Sequence, residues 1–242
     1  MLNTIYSEFL KLKKTYIIPI VFICGILMTI LMFLARFITE HDMPFEEYAY
    51  NIEQVNFLML YTVLFSITAA YIFSREFTDM TANILYTYPV SRVKIFISKL
   101  ITLYIIIFFT YTIETLSIPI SYYLLNGIFP EGNLIIKDIR ANVYSLLLQF
   151  LITPIPVLVA NISKNLIIPS SYGILSFILS SLLVNNSPGN FKYIPLTSPY
   201  LSSAYFHNLK DINLNYVLIP GVLCFILFLC IGMYHFTQQD IS

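Results

Sequence analysis

Apolar positions along this chain fall into long blocks with almost no charge. Charge-free windows run from Thr15 to Ala35, Gln54 to Ser74, Ala141 to Ser163, Asn165 to Phe191 and Ile212 to Tyr234, and a further block from Leu100 to Pro130 is interrupted only by Glu114. A helix gains about 1.5 Å per residue, so about 20 apolar residues cross the hydrocarbon of a bilayer. The pattern predicts an all-α polytopic protein with spans over 15–37, 54–74, 100–124, 141–161, 166–186 and 214–236, in one domain covering 1–242. Ahead of the first span, Ile5, Phe9, Leu12 and Tyr16 form a helical stripe, with Glu8, Lys11 and Lys14 on other faces. That spacing predicts an amphipathic helix lying on the membrane surface.

Composition agrees with that class. The chain is 58% hydrophobic and 11% charged, where an average soluble domain carries about 25% charge. The lysines at 11, 13 and 14 resemble the start of a signal peptide. The apolar stretch behind them is too long for one, however, and no small-residue cleavage site follows. It is expected to stay as the first span. Lys and Arg set the orientation, because cationic loops remain cytoplasmic. With both termini inside, eight of the 13 (Lys11, Lys13, Lys14, Arg75, Arg92, Lys94, Lys99, Lys164) fall on the inner side. The outer loop after the first span is acidic, with Glu40, Asp42, Glu46, Glu47 and Glu53.

Pro119, Pro154, Pro156 and Pro169 lie inside spans and should kink them, each freeing a carbonyl that needs another partner. Nearby hydroxyls such as Thr115, Ser117 and Thr153 are candidates. The segment NNSPGNFKYIPLTSPYLSSAYFHNLKDINLN is expected to lie outside, packed on the membrane face through Tyr193, Ile194, Leu196, Tyr200, Leu201 and Tyr205.

Catalytic and nucleotide motifs are missing. No glycine precedes a lysine, which excludes the GxxxxGK[ST] phosphate loop, and GxSxG, HExxH and CxxC do not occur. Glu46-Glu47 would begin an EExxxR protease motif, but Asn51 stands where the Arg is required. Cys24, Cys224 and Cys230 read as small apolar residues within spans. His41, Asp42, Glu46 and Glu47 read as a solvated acidic loop, so no metal site is expected. Glu114 is the one carboxylate deep in a span. Its burial costs about 3 kcal/mol on insertion scales, so it should face the bundle interior. It is either an element of a substrate path or a structural hydrogen bond between helices.

Six charged residues, Arg75, Glu76, Asp79, Arg92, Lys94 and Lys99, sit together in REFTDMTANILYTYPVSRVKIFISKL, residues 75–100. Phe77, Met80, Ile84, Leu85 and Tyr88 fall on one stripe, predicting a short amphipathic helix over 76–87 with Glu76 and Asp79 near its start. Pro89 should end it, and Ser91 should cap a second, basic helix. This stretch resembles the first cytoplasmic loop of ABC-2 type transporter permeases through Glu76, Thr81, Ile84, Leu85, Pro89, Ser91, Arg92 and Lys99, with Met80 where that family has glycine. The EFLKLKK opening and the chain length are similar to the bacitracin and lantibiotic immunity permeases.

The resemblance implies a permease subunit of an ATP-driven exporter in a bacterial plasma membrane, moving amphipathic or antimicrobial peptides or drugs. It implies a second permease subunit, identical or related, and a separate cytoplasmic ATP-binding subunit. ATP and Mg would be bound by that partner and no cofactor by this chain; nucleic acid has no place in the scheme. Arg75, Glu76, Thr78, Asp79, Asn83 and Arg92 are the expected docking residues, and Glu114 is the candidate for the substrate path. The competing classes are a membrane assembly protein without transport activity and a polytopic membrane enzyme.

Overall fold

The computed structural model describes residues 1–13, 15–39, 43–81, 89–186, 194–210 and 212–238, and the elements among them are helical. They are α1 (Leu2–Lys13), α2 (Ile17–Thr39), α3 (Phe45–Val55), a π-helical turn (Asn56–Leu60), α4 (Tyr61–Thr78), α5 (Arg92–Asn126), α6 (Gly132–Ile152), α7 (Pro154–Ser163), α8 (Ile167–Asn186), a 3₁₀ turn (Pro195–Thr197), α9 (Ser198–Phe206) and α10 (Leu214–Gln238). Six continuous helical stretches among the described residues are long and apolar enough to cross a membrane.

Burial separates them into two sets. In the apolar windows of α3–α4, α5 and α6–α7, 67%, 56% and 61% of residues are buried, against 17%, 22% and 17% in α2, α8 and α10. The first three stretches therefore form the centre. The other three line it and turn Ile23, Leu31, Leu175, Leu179, Leu223 and Leu227 outward. A helix apolar on all sides suits lipid on one side and protein on the other. Packing among them uses small residues: a Cβ built on Gly173 of α8 would come within 2.9 Å of the Ser66 Cβ on α4, so only glycine permits that crossing.

Several helices outrun their charge-free windows. The third stretch begins at Arg92 and the second reaches back to Phe45: the charges of their first turns stay at the surface, while Lys99 and Glu53, two turns further in, are buried against partners. Glu46, Glu47 and Glu53, expected in an acidic loop, lie on α3, and Glu53 is buried. The segment expected on the membrane face instead inserts: α9 packs against α6 and α3, burying Tyr200 and Leu201, while Tyr193 lies outside the described residues. Of the cysteines, Cys230 is exposed and Cys24 and Cys224 are half-buried, so none occupies the deep core.

Proline breaks one span. α6 ends and α7 begins at Thr153-Pro154, where the missing N–H frees the Phe150 carbonyl. Its new partner comes from another helix, since the Tyr104 hydroxyl donates to Phe150 O at 3.2 Å. The neighbouring Thr153 hydroxyl donates to Gln149 O instead, at 2.6 Å.

Candidate functional site: the elbow between the second and third spans

α4 does not start a new helix at Glu76; it carries the second span through to Thr78 and stops. The stop is a Schellman motif. Met80 N–H bonds the Phe77 carbonyl at 3.3 Å, Thr81 N–H bonds the Glu76 carbonyl at 2.8 Å, and Met80 takes a left-handed φ of 55°. This corrects the start of the helix expected over 76–87: Glu76 and Phe77 belong to the last turn of α4 and Met80 to the turn that ends it, while Ile84, Leu85 and Tyr88 lie outside the described residues. Asn83 lies outside them too. Glu76 and Asp79 thus occupy the negative end of a helix dipole, not the positive end.

The cations that offset this come from two other helices. Lys99, on the third turn of α5, is 1% exposed; its Nζ lies 2.5 Å from Glu76 Oε2 and donates to the Ile72 carbonyl at 2.6 Å. Lys11 of α1 reaches Glu76 Oε1 at 3.0 Å and Glu8 Oε1 at 2.5 Å, and Glu8 Oε2 stands 3.7 Å from Lys99. Two carboxylates and two ammoniums therefore interlock α1, α4 and α5. Burial works against the charge on Lys11, but the carboxylates of Glu76 and Glu8 outweigh it and hold the ammonium above its ordinary value. Glu8, expected on a solvated face, is 5% exposed because it completes this network.

Arg75 adds a backbone tie, donating to the Lys11 carbonyl at 2.8 Å and to Asp79 Oδ2 at 3.1 Å. Arg92 does the same on the other side, donating to the Thr237 carbonyl at the end of α10 at 2.8 Å. Ser91 has the extended backbone of an N-cap, but its hydroxyl makes no capping hydrogen bond. Above this frame Thr78, Asp79, Met80 and Thr81 are exposed. Beside it a cavity of about 400 Å³ opens between α1 and the start of α5, lined by Ser7, Glu8, Lys11, Val90, Ile95 and Ser98.

Glu114 lies elsewhere, at the centre of the bundle and fully buried. Asn56 Nδ2 donates to Oε1 at 2.6 Å and the Tyr61 hydroxyl donates to Oε2 at 2.5 Å. In an α-helix residues five apart diverge by about 140°. The π turn over Asn56–Leu60 removes that divergence and brings both donors onto one carboxylate. Both oxygens of Glu114 are thus used in joining the second and third spans. His41 and Asp42 lie outside the described residues, and Glu46 pairs with Lys137 at 2.5 Å.

Residues 4–182 match the family model for ABC-2 family transporter proteins. The chain belongs to the ABC-2 transporter family. A comparison with curated proteins gave no match. As a member of that family it is a membrane component of a transporter, a family whose members generally work with an ATP-binding subunit, and the six apolar stretches make it multi-pass. Within this ABC-2 protein, sequence patterns exposed the charged elbow but not its bracing. Glu8 and Lys11, spaced three apart on a helix, were the available signal. Nothing local links them to Lys99.

Proposed function

We propose that this ABC-2 protein is the membrane-spanning subunit of an ATP-driven exporter and receives its mechanical input at the elbow between α4 and α5. The observation that carries the reading is the interlocked Glu76–Lys99–Lys11–Glu8 group beneath an exposed turn. A buried, multiply bonded ion group resists shear, so a push on Asp79 and Met80 moves α4, α5 and α1 together. The chain has no phosphate-binding loop of its own, so a separate cytoplasmic subunit would bind ATP and Mg and supply the push.

In this scheme Thr78, Asp79 and Met80 touch the ATPase, and the hollow beside Ser7 receives part of it. Arg75, Glu76 and Arg92 act from beneath, by fixing the turn. The bias of Lys and Arg towards the α1 side supports a cytoplasmic position for the elbow. The weakly buried faces of α2, α8 and α10 offer room for lipid and for a second permease, whether a copy or a relative. Amphipathic or antimicrobial peptides are the proposed cargo, supported by the resemblance of the EFLKLKK opening to immunity permeases. Glu114 serves as a strut between spans and is left out of the path.

The test is ATP hydrolysis by the complex purified from native membranes. A Thr78→Trp/Asp79→Lys variant should retain insertion and oligomeric size yet lose most of the co-purifying hydrolysis. Full hydrolysis in that variant would remove the elbow from the mechanism.

A further inference from the structure

At the end of the bundle opposite α1, three residues far apart in the chain meet. Glu53 comes from α3, Asp138 from the second turn of α6, and His207 from the residue that ends α9. Glu53 and Asp138 are fully buried and His207 is 7% exposed. One ligand atom from each lies within 4.8 Å of the others, and His207 Nε2 stands 2.9 Å from Glu53 Oε2.

Two carboxylates packed together away from water repel each other, and one imidazole does not balance them. Glu53 is well supplied: Asn142 Nδ2 donates to Oε1 at 2.6 Å and the Ser203 hydroxyl donates to Oε2 at 2.5 Å. Asp138 is not. Among the described residues no N–H or O–H donates to either of its oxygens, and its partner in the cluster is the other carboxylate. A buried carboxylate left this way needs either a proton or a cation to balance it. His207 Nε2 donates to Glu53 Oε2, but its Nδ1 lacks a partner among the described residues, so the ring proton can move to Nδ1 and leave Nε2 to a metal.

We propose that Glu53, Asp138 and His207 bind a divalent first-row transition ion, Zn²⁺ foremost. One nitrogen and two carboxylate oxygens suit such an ion, whereas Ca²⁺ would require six or more oxygens. In a tetrahedral site, bonds of about 2.0–2.2 Å put ligand atoms about 3.3–3.6 Å apart, between the 2.9 Å Glu53–His207 separation and the 4.8 Å within which the three ligand atoms lie. Two carboxylates cancel the 2+ charge, so the loaded site is neutral and its burial no longer opposes it. The Asn142 and Ser203 donors hold Glu53 in place, the role that outer hydrogen bonds play around metal ligands. Access is provided by a hollow of about 360 Å³ whose wall includes Glu46, Glu47, Tyr50, Asn51 and His207. Its acidic rim attracts cations, and His207 forms both its wall and part of the cluster. Bound there, the ion clips α3, α6 and α9 together without touching the elbow.

Titration of Co²⁺ into the untagged, EDTA-treated full chain in detergent tests this through the visible absorption of the cobalt–histidine–carboxylate centre. The expected result is one Co²⁺ per chain, displaced by Zn²⁺, with Zn²⁺ affinity weakened about tenfold or more in both Asp138→Asn and His207→Gln. Asp138→Asn is isosteric and can still donate to Glu53, so it preserves the fold of a cluster that merely shares a proton. Equal binding by the wild type and both variants, or no stoichiometric binding by a monodisperse wild type, overturns the proposal and leaves a proton between Glu53 and Asp138 as the balancing charge.

Discussion

The ammonium of Lys99 and the carboxylate of Glu76 meet at 2.5 Å in a place where neither side chain is more than 8% exposed. Removing one partner strands the other. Glu76→Gln and Lys99→Met alone should each cost about 3–5 kcal/mol, while Glu76→Leu with Lys99→Met should come close to the wild type. Thermal unfolding of the detergent-solubilised chain, followed by circular dichroism, measures this. Additive losses in the double variant would show that the two residues do not act as a pair.

Met80 is 85% exposed and holds φ 55°, a conformation that costs an ordinary residue about 1–2 kcal/mol. Met80→Gly should therefore stabilise the end of α4 by about 1 kcal/mol, less what glycine loses in chain entropy. A slower hydrogen exchange at the amides of Met80 and Thr81 is the expected sign. Faster exchange there would mean that the Met80 side chain contributes a contact worth more than its strain.

Glu114 accepts from Asn56 and Tyr61 in a site without water-facing surface. Glu114→Ala leaves two buried donors unpaired, at about 1–3 kcal/mol each. Glu114→Gln keeps one acceptor oxygen and should lose roughly half as much. Stability of the two variants in urea or heat separates this strut role from a transport role. Normal stability with abolished export would return Glu114 to the substrate path.

Lys11 carries a raised pKa, so its contribution is complete below the ordinary lysine value of 10.5 and disappears as pH climbs through the higher folded value. α1 should accordingly loosen from α4 and α5 only in strong alkali. A fluorophore on Ser7→Cys, at the wall of the cavity, should become more mobile above that pH in the wild type. With Lys11→Gln the same probe should be mobile already at neutral pH. A pH-independent probe in both proteins would separate α1 from the ion group.

Hydropathy was enough to place six spans, since each block from Thr15 to Tyr234 stays apolar over a bilayer's width. It misjudged their ends for one physical cause: Glu53, Glu76 and Lys99 are charges that helices carry inward because partners await them. Those partners, such as Glu8 for Lys99 and His207 for Glu53, lie far along the chain and leave no local pattern. Periodicity failed at the elbow for a different reason. Phe77 and Met80 keep helical spacing although the backbone turns left-handed at Met80. The π turn that aims Asn56 and Tyr61 at Glu114 is similarly invisible to a reading based on 3.6 residues per turn.

Photo-crosslinking of the native complex reads the elbow's neighbour directly. A benzophenone amino acid at Asp79, with Asn133 at the opposite end as the control, should give an ATP-hydrolysing adduct at Asp79 alone, carrying a GxxxxGK[ST] motif. No such adduct at Asp79, or one formed at Asn133, would contradict drive through the elbow.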